Sequence, residues 1–148
     1  MGKPQEADDI PVMQAGAIPY RVTRAGGIEV LLITNNAGRW IVPKGGIDAG
    51  RTAADQAVME AFEEAGVVEA MVEGEIGEYE YKRGGQRHHV RLFALLVREV
   101  ARDWEESHRR EREWVTPEEA VGRVNFDGLK QAIMRVVEKR SVAKRAAA

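Results

Sequence analysis

The order of segments along this chain predicts an α/β fold, with helices covering the faces of a mixed sheet. Three observations carry that expectation. "IEVLLIT" (28–34) is β-branched and nearly all apolar, the clearest strand in the chain. Ala53, Ala54, Ala57, Val58, Ala61, Phe62 and Ala65 recur at helical spacing, between a capping threonine and a glycine stop. "NFDGLKQAIMRVVEKR" (125–140) has the same period, with Leu129, Ile133, Val136 and Val137 facing inward. Strands, a loop, a helix, further strands and a helix follow one another.

Residues 1–12 are polar and read as a flexible segment, 13–140 as a single domain, and 141–148, with its basic "KRAAA" end, as a flexible tail. "QAGAIPYRV" (14–22) reads as a strand that Pro19 either interrupts or places at an edge. Gly26-Gly27 signals a turn before residues 28–34, and "NNAG" (35–38) turns the chain again. "RWIVP" (39–43) is a short strand ended by proline, and "KGGIDAG" (44–50) a glycine-rich loop. Thr52 caps the next helix, with Asp55 three residues on completing a capping box, and Gly66 stops it. Residues 69–83 read as a strand pair or one long bent strand. Residues 88–100 contain a long buried strand, Val90 to Val97. Thr116 followed by Pro117, Glu118 and Glu119 opens a short helix.

The chain has 148 residues, 44% hydrophobic and 31% charged. A chain of that size hides roughly 70% of its unfolded surface, enough for a real core. The net charge of −2 gives no overall basic field to gather nucleic acid, so none is expected as a partner. The absence of cysteine excludes disulfides, thiolate metal sites and thiol nucleophiles. A metal would need carboxylate, imidazole or carbonyl ligands, and carboxylates favour hard ions such as Mg²⁺ or Mn²⁺. The opening "MGKPQEADDIP" contains no apolar run, and Glu6 replaces the Ser or Thr of a myristoylation signal. A cytoplasmic protein without a membrane partner is the expectation.

"MEAFEEAGV" (59–67) poses the chemical question. Glu60, Glu63 and Glu64 share one helical face, where like charges three or four apart cost about 0.2–0.5 kcal/mol per pair. Ala61, Phe62 and Ala65 are expected to face the core. No Lys or Arg lies within four residues of the trio to screen it. A solvated acidic face is the ordinary explanation; a divalent cation is the alternative that removes the repulsion. The glycine loop before the helix allows close backbone approach, a loop carbonyl adds an oxygen, and Lys44 is placed to meet a phosphate.

These residues resemble the signature of the Nudix hydrolase family, G-x5-E-x7-R-E-U-x-E-E-x-G-U, with U a bulky aliphatic. Gly45 takes the first position, Glu60 the glutamate of the "RE" pair, Glu63 and Glu64 the "EE" pair, and Gly66 and Val67 the close. Ala61 is a small version of the aliphatic position. Arg51 and Met59 depart, standing where a glutamate and an arginine belong. In the family those two look like an ion pair that steadies the loop against the helix. Both halves are absent together, so neither strands a charge. "RWIVPKGGI", "VREVARDWEES" and "REREWVTPEEAV" further resemble the diphosphoinositol polyphosphate and diadenosine polyphosphate phosphohydrolases.

The resemblance implies a Nudix-type α/β/α sandwich with a mixed sheet that hydrolyses a pyrophosphate bond in a small polyphosphate. It implies Mg²⁺, with Mn²⁺ as the alternative, on Glu60, Glu63, Glu64 and a carbonyl near Gly45, and either Glu63 or Glu64 taking a proton from water. Arg21, Arg39, Lys44, Lys82, Arg87 and His89 are candidates to hold the polyanion, with Arg83, His88 and Arg91 beside them. Trp104 and Trp114 read as packing residues, and Tyr20 as a pocket wall or a filler of the sheet edge. Other Nudix substrates (nucleoside triphosphates, RNA 5′ ends) and a catalytically weak ligand sensor are the rival readings; a homodimer is compatible with each.

Overall fold

The structure, a computed structural model, describes residues 10–147. Among these, the strands are β1 (Val12–Val22), β2 (Ile28–Thr34), β3 (Trp40–Ile41), β4 (Lys44–Gly46), β5 (Val67–Arg83), β6 (Gln86–Val100) and β7 (Arg112–Val115). The helices are α1 (Ala53–Ala65), α2 (Pro117–Arg123) and α3 (Asp127–Ala147). One sheet runs in the order β3-β2-β1-β6-β5, with β4 also on β1 and β7 on β2. β1 and β6 are parallel and the other pairings antiparallel, so the sheet is mixed. No helix among the described residues is long and apolar enough to cross a membrane.

Alternation along β1 divides the interior in two. Ala15 and Ala17 point to one face, where with Leu31, Ile33, Phe93 and Leu95 they meet Ala53, Ala57, Ala61 and Ala65 of α1. Ile18 and Tyr20 point to the other, against Val90, Leu92 and the α3 residues Leu129, Ala132, Ile133 and Val136. The sheet is therefore sandwiched between α1 and the α2–α3 pair. Alanine meets alanine across the first interface, so α1 can lie close to the sheet. Leucine, isoleucine and tyrosine fill the second.

Several expectations are corrected. β1 is interior, and Pro19 does not place it at an edge. Residues 14–16 pair with β4 and residues 20–22 with β2, so Pro19 falls between the two pairings while its other side runs along β6 opposite Leu95. A residue without an N–H is tolerated where no ladder bond is due on that side. Lys44–Gly46 is a strand rather than a loop, because β1 offers it a partner; the loop is confined to 47–52. Tyr20 is buried in the core, so the sheet-edge role is excluded. α3 continues as helix through Ala147, where a loose tail from 141 was expected, and Val137 is only half-buried. Residues 1–9 of the expected flexible segment lie outside the described residues, and Val12 already belongs to β1.

Phe62 is 49% exposed, while Glu60 and Glu64 are 9% and 8% exposed. With the alanine stripe of α1 set on the sheet, Glu60 and Glu64 flank it on one side. Val58 and Phe62 flank it on the other, facing outward. Residues 69–83 take the second of the two expected forms, one long strand, whose pairing with β6 slips at four places between Val67 and Gly77.

Filling the alanine interface tests its tightness. Ala57→Leu, at a position with no exposure, lowers the unfolding free energy by about 1–3 kcal/mol through overpacking. Phe62→Ala lowers it less. Urea denaturation of the two variants measures both.

Candidate active site

The acidic cluster is assembled by the approach of α1 to β4. Thr52 caps the helix start, its Oγ1 accepting the Asp55 N–H at 3.0 Å. The helix end is bound carbonyl by carbonyl. Gly66, in the left-handed conformation at φ +72°, donates to the Phe62 carbonyl at 3.1 Å. The Glu106 N–H reaches the Glu63 carbonyl at 3.3 Å, the Trp104 indole the Glu64 carbonyl at 2.9 Å, and Arg112 Nη1 the Ala65 carbonyl at 2.8 Å. Arg112 also stacks on Trp104 at 4.0 Å. All four orphan acceptors of the last turn are thereby met, with an arginine at the negative end of the helix.

Glu60 lies directly over Gly45. A Cβ at that glycine would stand 2.4–2.6 Å from the Glu60 carboxylate, so the carboxylate keeps this place only over a glycine. Gln56 Nε2 donates to Glu60 Oε2 at 2.6 Å. Glu64 Oε1 accepts the Lys44 backbone N–H at 3.1 Å, and its other oxygen is 3.5 Å from Arg110 Nη2. Arg110 is fixed in turn by Glu106 at 2.6 Å and the Thr34 carbonyl at 2.8 Å. The positive charge missing near the trio in sequence thus arrives from the segment before β7.

The electrostatics are those of crowded carboxylates. Burial pushes Glu64 up to about 8; Arg110 and the Lys44 N–H oppose the rise, and Glu60 adds to it. Glu63 is also raised, first by burial and then by Glu60, Glu105 and Glu106, with Arg51 opposing. Among the described residues no group of three or more His, Asp or Glu side chains forms a ready-made metal centre. The donor chemistry nevertheless fits a hard cation: three carboxylates, two of them buried, whose mutual repulsion a cation would relieve.

Beside the cluster opens a cleft of about 550 Å³. Lys44, Lys82, Arg83, Arg109 and Arg110 give it positive charge, and Trp40, Tyr79, Tyr81 and Phe126 give it aromatic walls. Lys44 joins the two regions: its N–H holds Glu64 while its ammonium lies 4.7 Å over the Tyr81 ring. Tyr79 stacks on Phe126 at 4.9 Å, and Tyr81 on His88 at 4.8 Å.

Of the six basic candidates, Lys44 and Lys82 line this cleft. The other four are placed elsewhere. Arg21 pairs with Glu29 at 2.7 Å and stacks on Trp114 at 4.3 Å. Arg39 is exposed at the end of the Asn35 turn, its N–H on Asn35 Oδ1. Arg87 pairs with Glu80 at 3.1 Å, and His89 is bracketed by Glu78 and Glu80 at 2.6 and 2.7 Å. Sequence reasoning missed Arg109, Arg110 and Gln56. The first two carry no local signal. Gln56 could have been found, since it lies four residues before Glu60 on the same helical face.

Two outcomes follow. Gly45→Ala drives the Glu60 carboxylate from its place, and the crystal structure of the variant shows that displacement. The contribution of the raised Glu64 to the stability of the metal-free fold is greatest below about pH 4.5, its unfolded value, because there both states carry the proton. That stabilisation is lost as the pH rises towards 8. Melting temperature measured in chelator therefore falls across this window, and Glu64→Gln flattens the fall.

A family model described as the NUDIX domain matches residues 13–136. The chain is 34% identical over 131 residues to Nudix hydrolase 21, chloroplastic, of Arabidopsis thaliana, a match covering 84% of this chain and 66% of that protein. It is 37% identical over 97 residues to diphosphoinositol polyphosphate phosphohydrolase 3-beta of Bos taurus, covering 63% and 58% respectively. The chain thus spans under two thirds of the length of either relative. The crystal structure of the C. elegans Ap4A hydrolase superposes with a TM-score of 0.71 at 24% identity, covering 86% of this chain and 96% of that one, a likeness of fold. With the signature residues gathered at one end of α1 and the family's domain matched over nearly the whole described chain, this protein belongs to the Nudix hydrolase family.

Proposed function

We propose that the chain hydrolyses a pyrophosphate bond in a dinucleoside polyphosphate or a diphosphoinositol polyphosphate. A divalent cation, Mg²⁺ or Mn²⁺, would be held by Glu60, Glu63 and Glu64 with a carbonyl near Gly45. The observation that supports this reading most is the junction of a basic cleft with an acidic cluster at Lys44 and Arg110. A polyanion in the cleft would bring its phosphates up to the carboxylates.

Phosphoryl transfer asks for positioning and charge neutralisation more than covalent work. A cation held by Glu60, Glu63 and Glu64 would neutralise phosphate charge and supply a more acidic water. Lys44, Lys82, Arg83, Arg109 and Arg110 orient the chain of phosphates, Arg109 and Arg110 with forked guanidinium donors and Lys44 as a point charge. Trp40 and Phe126 wall the cleft on its apolar side. Glu63 is the group best suited to take the water's proton. It is half-buried, burial and the neighbouring acids raise its carboxyl above the ordinary carboxylate value, and its side chain accepts no hydrogen bond among the described residues. Glu64, by contrast, is already committed to the Lys44 N–H and Arg110.

The test is a panel of diadenosine polyphosphate, diphosphoinositol polyphosphate, nucleoside triphosphate and triphosphorylated RNA, each titrated with Mg²⁺ and Mn²⁺. Turnover of either of the first two, lost in chelator and reduced about 10²–10⁴-fold by Glu63→Gln, is the expected result. Lys44→Ala weakens apparent substrate affinity about tenfold, equivalent to 1.4 kcal/mol, with a smaller effect on the saturated rate. Preferential turnover of the triphosphate or RNA would replace the proposed substrate class. Binding without turnover at every metal concentration would make the chain a sensor.

A further inference from the structure

We infer that Gln56 is a positioning residue that latches loop 47–52 to Glu60. The inference rests on the proposed role of Glu60 as a cation ligand and adds a residue to it. Gln56 is 2% exposed. A primary amide so buried costs free energy unless both its ends are bonded. Both are: Nε2 donates to Glu60 Oε2 at 2.6 Å, and Oε1 accepts the Asp48 N–H at 3.1 Å. The flipped amide would set NH₂ against an N–H and carbonyl against carboxylate, so its orientation is dictated by its two partners.

Asp48 is the first residue of a tight turn. The Arg51 N–H closes that turn on the Asp48 carbonyl at 3.1 Å, with Gly50 at φ +80° in the third position, the geometry of a type II turn. The Ile47 N–H ties the loop's start to the Met13 carbonyl of β1 at 3.3 Å, and Thr52 ties its end to α1. Between those anchors the Gln56 carbonyl is the side-chain bond that holds the turn to the helix. The same amide holds Oε2 of the Glu60 carboxylate, which lies over Gly45. One neutral group therefore sets the loop and the carboxylate in a common frame. Arg51 and Met59, at the positions where an ion pair would be expected to do this, do not: Arg51 turns to Asp48 at 3.9 Å instead.

Gln56→Met keeps the shape and removes both bonds; Gln56→Glu keeps the acceptor for Asp48 and loses the amide donor to Glu60. The readouts are Mn²⁺ affinity of the folded protein by electron paramagnetic resonance and hydrogen exchange of the Asp48 amide. In Gln56→Met, Mn²⁺ affinity falls about 10–100-fold, as for other residues that orient a ligand, and the Asp48 amide exchanges faster. Gln56→Glu keeps the Asp48 amide protected. A Gln56→Met protein that only melts earlier, with Mn²⁺ affinity and Asp48 protection unchanged, would reduce Gln56 to a space filler and overturn the inference. Loss of Asp48 protection in Gln56→Glu would overturn it even if Gln56→Met fails to fold. Failure of the wild type to bind Mn²⁺ would sink the cation reading instead, and exchange at Asp48 would then decide the latch alone.

Discussion

The distance between α1 and the sheet governs the rest of the molecule's chemistry. It is set by alanines on both sides, Ala53, Ala57, Ala61 and Ala65 against Ala15 and Ala17. Larger side chains in either row would lift the helix. At this separation the Glu60 carboxylate fills the space a side chain on Gly45 would take, and Glu64 comes within reach of the Lys44 N–H. Charge is carried into a region where solvent no longer screens it, which costs several kcal/mol per ion unless partners are supplied. Gln56, the Lys44 N–H and Arg110 are those partners. They compensate the acids only in part, since Glu63 and Glu64 remain raised. Three carboxylates that resist ionising together, and that a cation would let ionise, are the basis of the cation reading.

The segment between β6 and β7 completes this arrangement. Its Trp104 side chain and Glu106 N–H, with Arg112 at the start of β7, satisfy the last carbonyls of α1. Arg110, two residues before Arg112, is sent to Glu64, and Arg109 lines the cleft. The stretches "DWEES" and "REREW" therefore have a physical task in this chain: one short segment closes the helix, neutralises part of its acidic end and borders the cleft. Trp104, read from sequence as a packing residue, packs under Arg112 and also donates a hydrogen bond.

Legibility followed the range of the interactions. The α1 helix, its Thr52 cap and its Gly66 stop depend on neighbours within four residues, and all three were readable. The α2 cap at Thr116 was readable for the same reason. The α/β/α layering followed from the order of the segments. The interior place of β1 was not readable, because Pro19 argues locally for an edge and only the split pairing with β4 and β2 makes room for it. Glu60, Glu63 and Glu64 stood out in sequence, but their burial did not. Phe62 outranks a glutamate in hydropathy, and only the alanine stripe's docking decides which flank turns inward. Basic residues were the least legible. Arg21, Arg87 and His89 have acidic partners across neighbouring strands, while Arg110 reaches Glu64 from far along the chain.

Among the described residues β5 forms one border of the sheet with no further strand beside it, and at 17 residues it is long for that place. A straight ribbon of that length would offer another chain a ready template for pairing. The four slips in its match with β6 break the repeat of free N–H and C=O groups. Glu69, Glu73, Glu75, Glu78 and Glu80 add negative charge along the same stretch. A second copy adding in register would have to stack those acids on one another, so the irregularity works as a guard against fibrillar self-association.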